Sequence, residues 1–93
     1  MHFLYIIYSQ TLDKFYIGET HNLTDRIKKH NQHEYSKAYT KAASDWIYVL
    51  QMKCKNKEDA LYLEKFIKRM KSRKFVQKII DTPKILEDIL LKR

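Results

Sequence analysis

The sequence predicts an α+β fold in which a small three-stranded antiparallel sheet is flanked by helices. Two observations indicate this class. The first half of the chain contains short runs of aromatic and β-branched residues, which favour strands, and the second half has apolar residues at helical spacing. A chain of 93 residues matches one folding unit of ~50–200 residues, so we expect a single domain over 1–93 with the element order β-β-α-β-α-α-α.

Three apolar runs predict the strands. Residues 3–8 are apolar without interruption, which is typical of a strand that is buried on both faces. The polar segment 9–14 predicts a hairpin loop, so the second strand, over 15–19, should run antiparallel to the first. The third strand is predicted over 46–52, and its aromatic side chains are expected in the core.

Capping residues predict where the first two helices begin. Asn22 followed three residues later by Asp25 is typical of a helix N-terminus, and this helix should end by His33. Asn56 and Asp59 repeat the same signature before a longer amphipathic segment. The apolar stripe of that segment is made by residues at helical spacing: Ala60, Leu63, Ile67 and Met70.

The C-terminal part of the chain predicts two more helices. Ser72 can cap a short helix, and Thr82 supplies a capping hydroxyl before Pro83 at the first position of another. The last helix, over 83–92, has an apolar face. We expect this face to cap the core, and the alternative is that it binds a partner protein.

Composition excludes several classes of protein. The longest apolar run has six residues, far below the ~18 that span a membrane, and it lacks the flanks of a signal peptide. Cys54 is the sole cysteine, so an internal disulfide is impossible, and no CxxC or HExxH pair indicates zinc. We therefore expect a cytoplasmic protein without a membrane partner.

Positive charge is concentrated in one segment. The chain has a net charge of +8, and residues 65–78 contain seven Lys or Arg side chains and no acid. Such a segment repels itself, and a phosphate backbone would offset the repulsion. A nucleic-acid partner explains this pattern better than the alternative, a lysine-rich surface that serves only solubility.

The second predicted strand contains the sole glycine of the chain. Tyr16 and Gly18 lie two residues apart, so they share one face of that strand. Glycine weakens a strand and is tolerated where another chain or a ligand approaches closely. We therefore predict that the phosphate backbone of a nucleic acid approaches closely at Gly18, beside Tyr16.

Three further residues complete a candidate phosphodiesterase site. Arg26 and His30 lie four residues apart on one face of the first helix. Glu64 lies at the edge of the apolar stripe of the second helix, together with Lys68 and Lys71. Such a site needs a group that activates water, a cation beside the phosphate and a carboxylate that holds a metal. The alternative for Glu64 is a simple ion pair with Lys68.

In order and spacing these residues resemble the GIY-YIG nuclease superfamily. Residues 16–18 match its YIG motif, and residues 3–5 lie eleven positions upstream, where its GIY motif is expected. Residues 25–30 match the arginine-bearing helix, and Glu64 matches the metal-binding glutamate. The segment 70–74 is similar to the small stand-alone branch related to the N-terminal nuclease domain of the excision-repair subunit UvrC.

The resemblance implies a metal-dependent endonuclease that nicks one strand. Tyr16 would help to activate or orient water, Arg26 would stabilise the pentacovalent phosphate, and Glu64 would hold Mg²⁺ or Mn²⁺. Tyr5 would support the site through a hydrogen bond or a proton transfer. His30 would serve as an auxiliary acid, base or phosphate contact.

The resemblance also implies DNA as the partner and a role such as DNA repair, and it leaves RNA open. We expect a monomer or a weak homodimer, whose specificity comes from the site itself or from a partner protein. The residues predicted to contact nucleic acid are Gly18, Lys68, Lys71, Arg73 and Lys74.

The chain departs from the family pattern at two positions. Phe3 stands where the GIY motif has glycine, and Val76 stands where many members carry an asparagine about a dozen residues after the glutamate. The second departure leaves open an alternative function, a non-catalytic nucleic-acid-binding module on the same fold.

Overall fold

The fold is given by a computed structural model that describes residues 1–32 and 43–93. It confirms the predicted class and the predicted order of the elements. The strands and helices are β1 His2–Ser9, β2 Lys14–Thr20, α1 Leu23–Asn31, β3 Ile47–Cys54, α2 Lys57–Met70, α3 Arg73–Asp81 and α4 Lys84–Leu91. The elements differ from the predicted bounds by one or two residues, and the predicted limit of the first helix, His33, lies outside the described residues.

The three strands form an antiparallel sheet in the order β2-β1-β3. The central position of β1 explains why its residues are apolar without interruption, since Leu4, Tyr5, Ile6 and Ile7 are all fully buried. In the pairing of β1 with β2, Tyr5 lies opposite Gly18. The predicted antiparallel hairpin is therefore confirmed, and its register brings the two candidate motifs together.

The two faces of the sheet pack against different helices. On one face, Tyr5, Ile7 and Trp46 form a cluster against which Leu23 and Ile27 of α1 pack. The other face carries the larger cluster, to which α2, α3 and α4 contribute. Its buried members include Leu4, Ile6, Leu63, Ile67, Ile79 and Leu86. The sheet thus separates the site-bearing helices, with α1 on one face and α2 on the other.

Three of the four predicted helix caps are confirmed. The side chains of Asn22 and Asn56 accept hydrogen bonds from the backbone N–H three residues later, at 2.9 and 2.8 Å. Ser72 accepts in the same way at 3.1 Å from the backbone N–H of Phe75. Each cap satisfies a backbone donor that the first turn of the helix leaves without an intrahelical partner.

The predicted cap of the last helix is wrong. The Thr82 side chain makes no capping hydrogen bond, and helix α4 starts after Pro83. The backbone carbonyls of Thr82 and Pro83 instead accept from Ile85 and Leu86 three residues later. Hydrogen bonds between residues three apart make a tight first turn, and this turn forms without a capping bond from the Thr82 hydroxyl.

Two expectations about helix faces have different outcomes. The apolar face of α4 packs on the core, with Leu86 fully buried, so the alternative of a partner-binding face is not needed. Met70, the last residue of the predicted apolar stripe, is 48% exposed, whereas the other three residues of the stripe are buried. The α2 helix ends at Met70 because Lys71 adopts the left-handed conformation, with φ 47°, and the chain turns away into α3.

Among the described residues, no helix has the length and apolar character that crossing a membrane requires.

Candidate active site

Gly18 provides the space that the ring of Tyr5 occupies. A Cβ atom at position 18 would lie 2.5 Å from the Tyr5 hydroxyl oxygen and 2.6 Å from Cζ, closer than atoms can pack. The backbone of Gly18 has no positive φ, so space and not conformational freedom requires glycine here. A group does approach Gly18 closely, but it is the ring of Tyr5 from the neighbouring strand and not the predicted phosphate backbone. The predicted contact of Gly18 with nucleic acid stays a prediction.

Tyr5 and Tyr16 both contact His30. The Tyr5 hydroxyl oxygen and Nε2 of His30 are hydrogen bonded at 2.9 Å, inside the protein. The ring of His30 also packs edge-on against both tyrosines, with ring centroids 5.9 Å from Tyr5 and 5.0 Å from Tyr16. His30, which belongs to α1, thus connects Tyr5 to Tyr16.

Tyr48 is a member of this cluster that the sequence placed only in the core. Its ring packs edge-on against Tyr5 at 5.6 Å, and its hydroxyl donates a hydrogen bond of 2.5 Å to the carbonyl of Leu23. Tyr48 therefore joins β3 to the start of α1 and supports the face on which Tyr5 lies. The register of β3 against β1, which the sequence does not specify, is what makes this contact.

His30 is neutral under ordinary conditions. Its side chain is 2% exposed, and burial lowers its pKa from 6.5 to about 4, with a further contribution from the nearby positive charge of Arg26. Arg26 and His30 lie four residues apart on one face of α1, and this spacing accounts for the effect of Arg26 on the pKa of His30. Because the neutral imidazole has one N–H donor, it can pair with a tyrosine hydroxyl without carrying charge into the core.

The low pKa of His30 predicts a loss of stability in acid. The unfolded chain binds a proton at His30 near pH 6.5, and the folded chain binds it only near pH 4. The contribution of neutral His30 to the free energy of unfolding is therefore fully present above pH 6.5, and it is lost as the pH falls toward 4. This one group should account for roughly 2–3 kcal/mol. Between pH 7 and pH 4 the parent should lose this much more unfolding free energy than the His30→Gln variant does. Urea denaturation of both proteins at the two pH values measures the difference. Parallel pH profiles of the two proteins would contradict this.

Glu64 reaches the site through Lys68. The Glu64 carboxylate accepts a hydrogen bond of 2.7 Å from Nζ of Lys68, and that same Nζ lies 5.5 Å from the ring centroid of Tyr16. The side chain of Glu64 is only 18% exposed, whereas that of Lys68 is 47% exposed. The i,i+4 ion pair therefore exists, and its lysine is the residue that connects Glu64 to Tyr16.

A groove adjoins this end of the site. It has a volume of about 520 Å³ and lies between the edge strand β2 and the junction of α2 with α3, next to Tyr16. Four cationic side chains line it, and no acidic one does among the described residues: Lys14, Lys68, Lys71 and Arg73. Its apolar lining comes from both sides: Phe15, Ile17, Ile67 and Val76.

The comparison with protein families identifies the chain. The model of the GIY-YIG catalytic domain matches residues 1–78. The chain belongs to the GIY-YIG nuclease superfamily. The matched range contains both tyrosines, the arginine-bearing helix, Glu64 and every lining residue of the groove. Neither the search of curated proteins nor the search of solved structures found a match.

The candidate catalytic residues form one connected series in the structure. Arg26 lies near His30, His30 contacts Tyr5 and Tyr16, and Tyr16 lies beneath the amine that binds Glu64. Contacts thus connect four of the five residues that the sequence predicts as catalytic, with Lys68 between Tyr16 and Glu64, and Arg26 lies on the same helix as His30 and affects its pKa. Strands β1 and β2 supply the two tyrosines, α1 supplies Arg26 and His30, and α2 supplies Glu64 from the other face of the sheet.

Glu64 is the one carboxylate among the five residues predicted as catalytic, and a single carboxylate fits a hard divalent cation. Within residues 1–32 and 43–93, no group of three or more His, Cys, Asp or Glu side chains could hold a metal. Mg²⁺ is bound in many enzymes by one or two carboxylates, with water and substrate phosphate as its other ligands. Glu64 alone suits such an ion, and it does not suit zinc, which takes three or four protein ligands.

The cations predicted to contact nucleic acid have different surroundings. Arg73 donates hydrogen bonds to the backbone carbonyl and the carboxylate of Asp13, at 2.8 and 2.6 Å, so it fastens α3 to the β1–β2 loop. Lys68 and Lys71 line the groove, and Lys74 is exposed outside it. Lys14, which sequence reasoning missed, lines the groove from the opposite side, and only the folded arrangement of β2 against α2 reveals it.

Proposed function

We propose that the protein is a metal-dependent endonuclease that hydrolyses phosphodiester bonds of DNA and nicks one strand at a time. The supporting observation is the series of contacts from Tyr5 through His30, Tyr16 and Lys68 to Glu64, which adjoins a cation-lined groove. A member of this nuclease superfamily with such a site has a place for the phosphate and a carboxylate for the metal.

Each residue has a role that follows from its surroundings. Tyr16 is half-buried and held between His30 and Lys68, so its hydroxyl can orient the attacking water. Arg26 supplies the planar cation that stabilises charge on the pentacovalent phosphate. Glu64 would hold Mg²⁺ or Mn²⁺, which supplies Lewis-acid polarisation of the scissile phosphate when bound.

Tyr5 and His30 support this chemistry from within the protein. Tyr5 is fully buried, and His30 is 2% exposed, so neither reaches the solvent-filled groove directly. Their hydrogen bond and the packing of His30 on Tyr16 fix the ring that orients water. We propose a positioning role for both residues, in place of direct contact with the phosphate.

One site cuts one strand. A double-strand break by this protein would therefore need two protomers or two successive nicks.

The alternative function is a nucleic-acid-binding module without catalysis. It is favoured by Val76, which stands at the place of the family asparagine and is buried as part of the groove lining. It is also favoured by the engagement of Glu64 with Lys68 in place of a metal.

A plasmid assay decides between the two functions. With Mg²⁺ or Mn²⁺ we expect the protein to convert supercoiled plasmid into nicked circles, and EDTA should stop the reaction. Tyr16→Phe keeps the ring packing and removes the hydroxyl, so it should lower the nicking rate about 10²–10⁴-fold with little change in DNA affinity. Tight binding without nicking by the parent in either metal would favour the module.

A further inference from the structure

We infer that the groove beside Tyr16 binds an unpaired nucleotide of the substrate strand, so that the preferred substrate is DNA with an unstacked base near the cleaved bond. The inference rests on the proposed function for the identity of the substrate as DNA. It goes beyond that function because it specifies the structure of the DNA and the surface that selects it.

The lining of the groove is the first observation. A protein that does not contact base edges in a groove of the duplex meets only phosphates and sugars. Cationic side chains are enough to bind those phosphates. This groove combines cations with a continuous apolar lining, to which Ile17 contributes from β2, and Ile67 and Val76 contribute from α2 and α3. Apolar side chains have no partner on a phosphate backbone, whereas they can cover the face of an unstacked base.

The arrangement of charge is the second observation. Lys14 lies on the β2 side of the groove, and Lys68 and Lys71 lie on the α2 side, so cations flank the apolar lining. The volume of about 520 Å³ falls within the ~300–1,000 Å³ of sites for small organic ligands. A nucleotide matches both features, because its base is flat and apolar on its faces and its phosphate is an anion.

The position of the groove is the third observation. Tyr16 and Lys68 belong both to the lining and to the candidate active site, and Glu64 lies one helical turn from Lys68. A base seated here would therefore belong to a DNA strand that passes close to Tyr16 and to the pair of Lys68 with Glu64. Seating the base would fix the substrate strand in the site, as proximity catalysis requires.

The test measures binding without cleavage and leaves the protein unaltered. Three hairpin duplexes are titrated in EDTA and followed by fluorescence anisotropy: one with a single bulged adenine, one with an abasic site at the bulge and one fully paired. The first two carry the same phosphates, so they differ only in the base. Because stacking is worth ~1–3 kcal/mol per base, we expect the adenine bulge to bind about tenfold more tightly than the abasic bulge.

Charge variants add a second measurement. Lys71→Glu reverses a cation of the groove, and Lys84→Glu makes the same change at an exposed residue of α4 that does not line it. We expect Lys71→Glu to weaken binding of the adenine bulge about tenfold and Lys84→Glu to weaken it at most about twofold. Equal losses would mean that net charge alone matters, and this would overturn the proposal.

The remaining outcomes separate this inference from the proposed function. Equal affinity for the adenine and abasic bulges would overturn the inference even if plasmid nicking is found, and would leave an acidic peptide or a second copy of the chain as the occupant. A clear preference for the adenine bulge would support the inference even if no nicking is found.

Discussion

Gly18→Ala is expected to destabilise the protein by about 2–3 kcal/mol, at the upper end of the effects of overpacking. The added methyl group would lie 2.5 Å from the hydroxyl oxygen of Tyr5, whose ring is fully buried and hydrogen bonded to His30. A rigid aromatic ring without free space around it cannot move aside without disturbing its neighbours. Urea denaturation of the parent and the variant measures the effect.

The same substitution should lower nicking as well as stability. Displacement of Tyr5 disturbs His30, and His30 packs on Tyr16, so Tyr16 loses the support that its proposed role in orienting water requires. We expect a loss of at least about tenfold in nicking rate when the assay is run well below the melting temperature, since misplacement of a catalytic group by 1 Å can cost ~10²-fold.

A double-mutant cycle tests whether Tyr5 is the cause. Tyr5→Leu removes the ring atoms that the methyl group of Gly18→Ala would meet. We expect the two substitutions to be less harmful together than the sum of their separate effects, with a coupling energy of about 1–2 kcal/mol. Strict additivity would show that Gly18 is required for some other reason.

Arg26→Ala has the second large expected effect, a loss of about 10²–10³-fold in nicking. This is the usual consequence of removing one group that stabilises transition-state charge. Arg26→Lys should recover only part of the rate, because an ammonium lacks the planar fork that binds two phosphate oxygens. The matched control is Lys28→Ala, which removes an exposed cation from the same helix and should leave the rate nearly unchanged.

The Arg26 variant has a second readout that does not depend on activity. The positive charge of Arg26 contributes to the low pKa of His30, although burial is the larger cause. We therefore expect Arg26→Ala to raise the pKa of His30 above about 4 and to leave it below 6.5, as measured by an NMR titration. An unchanged pKa would show that the two side chains are not neighbours in solution.

Local signals in the sequence predicted most of the fold. Asn22, Asn56 and Ser72 act through hydrogen bonds to the backbone three residues away, and such short-range chemistry is visible in the chain itself. The continuous apolar run of β1 likewise indicated burial on both faces. The Thr82 side chain does not cap α4 because the backbone carbonyls of Thr82 and Pro83 accept the hydrogen bonds of the first turn, and a backbone carbonyl gives no side-chain signal in the sequence.

The candidate site was predictable to the extent that motif spacing fixes it. Tyr5, Tyr16 and Arg26 follow one another at recognisable distances in the chain. The reason for Gly18 requires the register of β1 against β2, which places Tyr5 directly opposite it. Nothing in the sequence near either residue specifies that register on its own.

Contacts between residues far apart in the chain could not be predicted from the sequence. Arg73 and Asp13 are 60 positions apart, and their ion pair gives Arg73 a structural task that its place in a basic segment does not suggest. Lys14 joins Lys68 in one groove only because α2 packs against β2. These pairings depend on how the elements pack, and packing is a property of the whole chain.

The central claim is that Glu64 belongs to one catalytic site with Tyr16 and Arg26. Its most direct test is the rate of plasmid nicking by Glu64→Gln, compared with Glu58→Gln, an exposed carboxylate at the start of the same helix. Both variants remove one negative charge from α2, and both should fold, since the surface pair of Glu64 with Lys68 is worth only ~0.3–0.5 kcal/mol. We expect Glu64→Gln to lose nicking by at least about 10²-fold while it still binds DNA, and Glu58→Gln to nick like the parent. Equal nicking by the two variants would contradict the account.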